Sequence, residues 1–225
     1  MTEYPNFTVL NNTIINCFRC PRLVAYRETL PPRPSFKDFP YWRRPVPGFG
    51  DTNAWLLIAG LAPAAHGANR AGRVFTGDLT SRFLVKALYE AGFANQPNSD
   101  DIFDGLQYTG CYLTAVVKCC PPKDKPTAQE CANCLPYFQA ELQLLTSVKH
   151  ILVLGRTAFE GFLRATDTRK TKIQFAHGAR YALPGLPVLH CTYHPSPQNT
   201  NTGKLTMEMF QKVLSDICKE HQFEA

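Results

Sequence analysis

The chain has 225 residues, 44% of them apolar, and a formal charge of +6 at pH 7. That apolar share excludes a disordered chain, and the length suits one large domain, residues 1–225, with a real core. The basic excess is mild: it is compatible with a polyanion partner but does not establish one.

Residues 1–10 lack the basic start of a signal peptide, and Asn11, Asn12, Thr13 and Asn16 interrupt the apolar residues that follow. No apolar run reaches the length of a membrane span. A cytosolic location without membrane contact is therefore expected. The count of nine cysteines is odd, and a reducing compartment favours metal or cluster ligation for closely spaced thiols over disulfides.

In chain order, Cys17-Phe-Arg-Cys20-Pro21 places two thiols at the spacing that suits one metal centre. The prolines of 31–51 predict an irregular surface passage. Its Arg33, Lys37, Tyr41, Trp42, Arg43 and Arg44 suit either a phosphate backbone or the cover of the core edge, and general burial statistics favour the cover. Residues 55–59 are apolar and predict a buried strand. It breaks at Gly60 into a loop of small residues, 60–68, that would let backbone N–H groups approach a ligand. Polar groups follow: His66, Asn69, Arg70, Arg73 and Asp78, with Phe75 among them. A strand that ends in such a loop before a helix is where open α/β sheets hold ligands.

Residues 81–91 predict a helix with Phe83, Leu84, Ala87 and Leu88 on one face and Gly92 as its stop. Residues 108–117 predict a second strand. Thr127 and Glu130 form a capping-box pattern for a long helix. Residues 150–154 predict a third strand, 156–165 a helix, 172–183 a strand broken at His177-Gly178, and 188–193 a further strand. An amphipathic helix over 205–220 closes the chain. The alternation predicts an α/β fold: a mostly parallel central sheet with helices on both faces.

Two CxxC pairs, Cys17/Cys20 and Cys131/Cys134, together with Cys119 and Cys120, suggest a four-thiolate site for zinc or an iron–sulfur cluster. Spacing alone does not choose between the metals. Cys111, Cys191 and Cys218 read as small buried hydrophobes.

The stretches GLAPAAHGANRAGRVFTGD at 60–78 and HPSPQNT at 194–200 resemble the family 5, or type B, uracil-DNA glycosylases. So do VVKCCPPKDKPT at 116–127, ILVLGRTAF at 151–159 and KIQFAHGARYALPG at 172–185, so the resemblance covers nearly the whole chain. It implies a three-layer α/β/α sandwich and a [4Fe–4S] cluster on Cys17, Cys20, Cys119 and Cys134. Cys120 and Cys131 stand beside two of those positions and leave a substitution open. The implied activity is hydrolysis of the bond between deoxyribose and uracil, hypoxanthine or other damaged bases, leaving an abasic site without a lysine nucleophile. The implied partner is DNA containing deaminated bases, met by a monomer in a prokaryotic cytoplasm at the nucleoid.

Such a reaction places negative charge on the departing base and positive charge on the sugar, and the base must first leave the stack. His194 is the expected donor to the base, and Phe75 its stacking surface. Gly60 and Ala62 contribute backbone groups, while Ser196, Gln198 and Asn199 contact DNA. Related branches carry an acid or amide where this chain has Leu61 and Ala62, so Asp78 is the expected catalytic carboxylate, although it also suits a helix cap. Ala115 stands where stricter relatives have a base-reading asparagine, which implies a broader pocket. The alternative reading is a non-catalytic iron–sulfur DNA-binding protein that senses redox state.

Overall fold

The computed structural model describes residues 4–169 and 172–224. In chain order its elements are α1 (Phe7–Ile15), α2 (Pro21–Thr29), β1 (Phe49–Gly50), β2 (Leu56–Gly60), α3 (Ala68–Ala71), α4 (Leu79–Glu90), β3 (Cys111–Ala115), α5 (Ala128–Leu144), β4 (His150–Leu154), α6 (Arg156–Ala165), β5 (Arg180–Tyr181), β6 (Val188–Thr192), α7 (Pro197–Asn201) and α8 (Met207–Glu224).

The strands form one sheet in the order β1-β3-β2-β4-β6-β5. The four inner strands are parallel, and β1 and β5 join antiparallel at the edges. Successive residues of a strand face opposite sides. In β2, Leu56 and Ile58 enter one core while Leu57 and Ala59 enter another; in β4, Leu152 and Leu154 oppose Ile151 and Val153 in the same way. Both faces are thus apolar, which explains the unbroken hydrophobic runs and requires helices on both sides. Core residues of α4 and α8 cover one face, and those of α5 and α6 the other. The expected three-layer α/β/α arrangement is the one observed. A third cluster joins α1, α2 and α5 around Leu10, Ile14, Leu23 and Tyr137.

Local chemistry sets the helix starts. Asp78 and Ser81 form a reciprocal capping box at α4, and Thr127 and Glu130 form another at α5. α1 carried no predicted element because its asparagines mask the pattern. Asn6 caps it by accepting from the Val9 N–H, and Leu10 and Ile14 make its buried face. The strand predicted over 172–183 is reduced to Arg180–Tyr181. Gly178, at φ 75°, turns the chain just before that strand, and the Gly178 N–H donates to the Cys191 carbonyl at 2.8 Å. The segment before the turn packs Phe175 against Phe159 and Tyr193 instead of extending the sheet.

Among the described residues, one ion pair is fully buried. Lys118 Nζ donates to both Glu141 oxygens at 2.8 and 2.7 Å and to Thr114 Oγ1 at 2.7 Å. The two charged side chains are 1% and 0% exposed. The pair fixes the exit of β3 to α5. Removing one buried charge strands the other, so Glu141→Gln is expected to cost about 3–5 kcal/mol. Urea unfolding of the variant and the parent measures it.

Candidate active site

Parallel strands deliver all their exit loops to one edge of the sheet. The chain runs from β2 outward to β3, then returns past β2 to β4 and β6, so connections diverge on the two sides of the β2–β4 boundary. A crevice opens where connections diverge in this way. A cleft of ≈ 880 Å³ occupies that place, lined by Leu61, Ala62, Asp78, Gly155, Tyr193 and His194 among others.

Asp78 forms one wall. Its Oδ1 accepts from the Ser81 N–H at 2.8 Å, and its own N–H donates to Ser81 Oγ at 3.0 Å. Oδ2 lies against Gly67, where an added Cβ would sit 2.1 Å from it. Gly67 therefore has to be glycine for the carboxylate to keep its place. Burial pushes the Asp78 pKa up from the usual carboxylate range, against the opposing hydrogen bonds from Ser81 and Thr80 and the charge of Arg70. The loop leading to Asp78 is held from below. Arg73 donates to Asp104 at 2.9 and 2.6 Å, to Thr76 Oγ1 at 2.9 Å and to Ser99 Oγ at 3.0 Å. Arg70 donates to the carbonyls of His66 at 3.1 Å and Gly77 at 3.3 Å. The two arginines of this loop are thus braces for Asp78.

His194 forms the opposite wall, two residues beyond β6. Gly155, at φ 89°, lets it approach, since a Cβ there would lie 3.2 Å from the His194 Cβ. Asn199 Nδ2 donates to the His194 carbonyl at 2.8 Å and holds the 194–199 loop closed. Burial lowers the His194 pKa to about 4, so the ring is a neutral imidazole at physiological pH. The backbone contact of Asn199 makes it a brace for His194, and Ser196, Gln198 and Asn199 all line the cleft.

Gly60 ends β2 and is buried. Phe75 covers it with its ring tip, since a Cβ on Gly60 would lie 2.8 Å from Phe75 Cζ. Phe75 is half-buried and set back from the cleft surface that Leu61 and Ala62 line. The passage at 31–51 divides between its two readings. Arg33 reaches the cleft, whereas Arg43 donates to the carbonyls of Glu28 and Leu30, and Tyr41 bonds His66 Nδ1 at 3.1 Å.

The structure adds cleft residues that sequence reasoning passed over. Lys204 lies 4.9 Å from the Tyr193 ring centroid and Arg156 lies 5.7 Å from that of Phe175, which makes a basic and aromatic rim. α6 has Gly155 as its N-cap residue with no side-chain cap, and Gly155, Arg156 and Thr157 line the cleft. The available signal was the Gly-Arg-Thr that follows an apolar strand. His177, which had no assigned role, stacks on Tyr193 with ring centroids 5.1 Å apart.

The thiols converge elsewhere. Cys17, Cys20, Cys119 and Cys134 line one small closed hollow with Arg27 and Tyr137. Cys131 faces a different groove, beside Leu61 and Arg164, and Cys120 does not line the hollow. Three of the four sulfurs receive N–H donors: Cys119 from Arg27 at 3.1 Å, Cys20 from Asn133 at 3.4 Å and Cys134 from the Lys118 N–H at 3.4 Å. Arg27 is 1% exposed and its Nε has no partner among the described residues. Its carboxylate neighbour, Glu28, is 3.8 Å away and half exposed. A buried guanidinium needs anionic charge, and four metal-bound thiolates would supply it. As free thiols they would not, since burial pushes Cys119 up to about 11 and Cys134 up to about 12.

A family model described as the uracil DNA glycosylase superfamily matches residues 47–218. A type-5 uracil-DNA glycosylase of Thermus thermophilus is 50% identical over 205 residues, covering 91% of this chain and 93% of that protein. A type-5 enzyme of Pyrobaculum aerophilum is 44% identical over 203 residues, covering 90% and 88%. One of Mycobacterium leprae is 46% identical over 215 residues, covering 93% of each chain. Coverage this complete excludes a likeness confined to one motif.

The histidine offers a direct check on the site. Its folded pKa lies below its unfolded value, so between the unfolded value and about 4 the unfolded chain binds the extra proton. Stability contributed by His194 is present above that window and is lost as pH falls through it. An NMR titration of ring carbon-bound protons is expected to show His194 neutral until about pH 4, and His194→Gln should flatten part of the acid slope of stability.

Proposed function

The chain belongs to the uracil DNA glycosylase superfamily and is a uracil-DNA glycosylase, a hydrolase of DNA repair; from that premise we propose how its cleft works. The observation that carries the reading is one neutral imidazole and one half-buried carboxylate opening on the same cleft, at the carboxyl ends of the strands.

A uracil turned out of the DNA enters the cleft with its edge toward Gly60 and Ala62. Phe75 backs the base through its contact with Gly60. Water attacks the sugar carbon, the bond to the base nitrogen breaks, and its electron pair leaves with the base. His194 donates a hydrogen bond to a base carbonyl and stabilises that anion without transferring a proton. Asp78 orients the water and accepts its proton. Ser196, Gln198, Arg156 and Lys204 meet phosphates along the rim, and Asn199 keeps His194 in place. Lys204 lies over Tyr193 at the rim, which suits a phosphate contact better than attack on the sugar, so the product is an intact abasic strand.

Ala115, paired with Gly60 at the end of β3, offers no amide to select uracil, which supports hypoxanthine and other deaminated bases as further substrates. We read the thiol hollow as the seat of a [4Fe–4S] cluster held by Cys17, Cys20, Cys119 and Cys134. When bound it supplies iron–thiolate bonds that staple the N-terminal segment to α5. The buried Arg27 and the N–H donors to sulfur support that reading. We read the chain as a single domain acting as a monomer at the nucleoid. No described helix is long and apolar enough to cross a membrane.

Asp78→Asn separates the two duties of this residue, because asparagine caps a helix as well as aspartate does. Stability should hold while excision from a uracil-containing oligonucleotide falls by roughly 10²–10⁴-fold. His194→Ala should fall by roughly 10²–10³-fold. Both are read as strand scission that needs alkali. Full activity in Asp78→Asn would remove its carboxylate from the reaction, and scission before alkali would refute the absence of lyase chemistry. For the thiol centre, Cys17→Ala should lose the brown colour, the iron and stability, whereas Cys131→Ala should keep them. Stoichiometric zinc without iron in the parent would overturn the cluster.

A further inference from the structure

The end of the sheet opposite the cleft holds a second group of metal-type donors. His150 opens β4, His190 lies on the adjacent strand β6, and Glu220 comes from α8, which packs across them. His150 Nδ1 is 3.2 Å from His190 Nε2, and His190 Nε2 is 3.9 Å from Glu220 Oε2. All three donor atoms fall within 4.8 Å of one another. A tetrahedral zinc ion with bonds near 2.0–2.1 Å sets neighbouring ligand atoms about 3.3–3.4 Å apart. The two nitrogens already stand close to that spacing, and Glu220 needs only a small rotation.

We propose that His150, His190 and Glu220 form a zinc-class metal site that fastens α8 to β4 and β6, separate from both the cleft and the thiol hollow. Two imidazoles with one carboxylate select a transition ion over calcium or magnesium. Water fills the fourth position from the Glu220 side, where that side chain is 19% exposed. Trp55 walls the site, its ring edge-on to His150 at 5.8 Å and stacked on His221 at 3.9 Å. Such an apolar wall limits water and fixes the imidazole orientation.

Arg180 bears on the affinity. Its Nε donates to both Glu220 oxygens at 2.9 and 2.8 Å, so it competes with an ion for Oε2. The ion takes Oε2 and leaves Oε1 to the guanidinium. Competition of this kind makes the site weaker than a zinc finger, and it predicts the direction of an arginine variant.

The test uses the cluster-loaded protein, dialysed against micromolar zinc chloride and analysed for bound metal. The parent should retain zinc in a one-to-one ratio beyond its iron, with unchanged cluster absorbance and a raised melting temperature. Glu220→Gln, a change at the solvent edge, should lose both the zinc and the temperature increment, as should His190→Gln. Arg180→Gln should bind zinc at lower concentration than the parent. Uracil excision in zinc-free buffer should be the same in Glu220→Gln and the parent. No retained zinc in the parent, or equal retention in Glu220→Gln, overturns the site.

Discussion

The fold rests on one constraint: four parallel strands whose residues are buried on both faces. Such strands cannot be joined by hairpins, so each must cross over through a helix. Every crossover then leaves from the same edge. The residues after Gly60, Ala115, Leu154 and Thr192 are gathered there, although they are far apart in sequence. The cleft is a consequence of covering the sheet. Its chemistry is decided by what the exit loops carry, and its precision by two glycines. Gly67 admits the Asp78 carboxylate, and Gly155 admits His194.

Asp78 bears two demands in one side chain. Its Oδ1 is committed to the first turn of α4, and that commitment locks the rotamer. Oδ2 is then presented at a fixed place against Gly67. In the proposed reaction the two oxygens would divide the work, Oδ1 capping the helix and Oδ2 facing the water. The braces from Arg70 and Arg73 make the loop stiff enough for that division, which is why their hydrogen bonds run to backbone and to buried Thr76 and Ser99 rather than to solvent.

Much of this was legible in the residues. The apolar runs at 55–59 and 150–154, the cap at Asp78, the capping pair at 127–130 and the small-residue loop after Gly60 all encode structure locally. Most of the site's rim did not: Arg33, read as one possible phosphate contact, meets Arg156 and Lys204 from distant parts of the sequence only in the folded chain. The helix α1 was hidden by Asn11, Asn12 and Asn16, whose polarity obscures a face made by Leu10 and Ile14. Cys119 and Cys120 are neighbours that no spacing rule separates. Three dimensions separate them, since only Cys119 reaches the hollow and the guanidinium of Arg27.

Desolvation acts on both walls of the cleft with opposite chemical results. It depresses the imidazole and raises the carboxyl, so it drives each toward its uncharged form. A polyanion in the cleft adds to this unequally, since nearby negative charge raises both pKa values. His194 starts near 4 and has a wide margin before it would protonate at neutral pH. Asp78 starts above the usual carboxylate range and has less margin before it would lose its charge. The positive charge of Arg70 acts on Asp78 in the opposite direction. The arginine that braces the loop thus also favours the ionised form of the carboxylate.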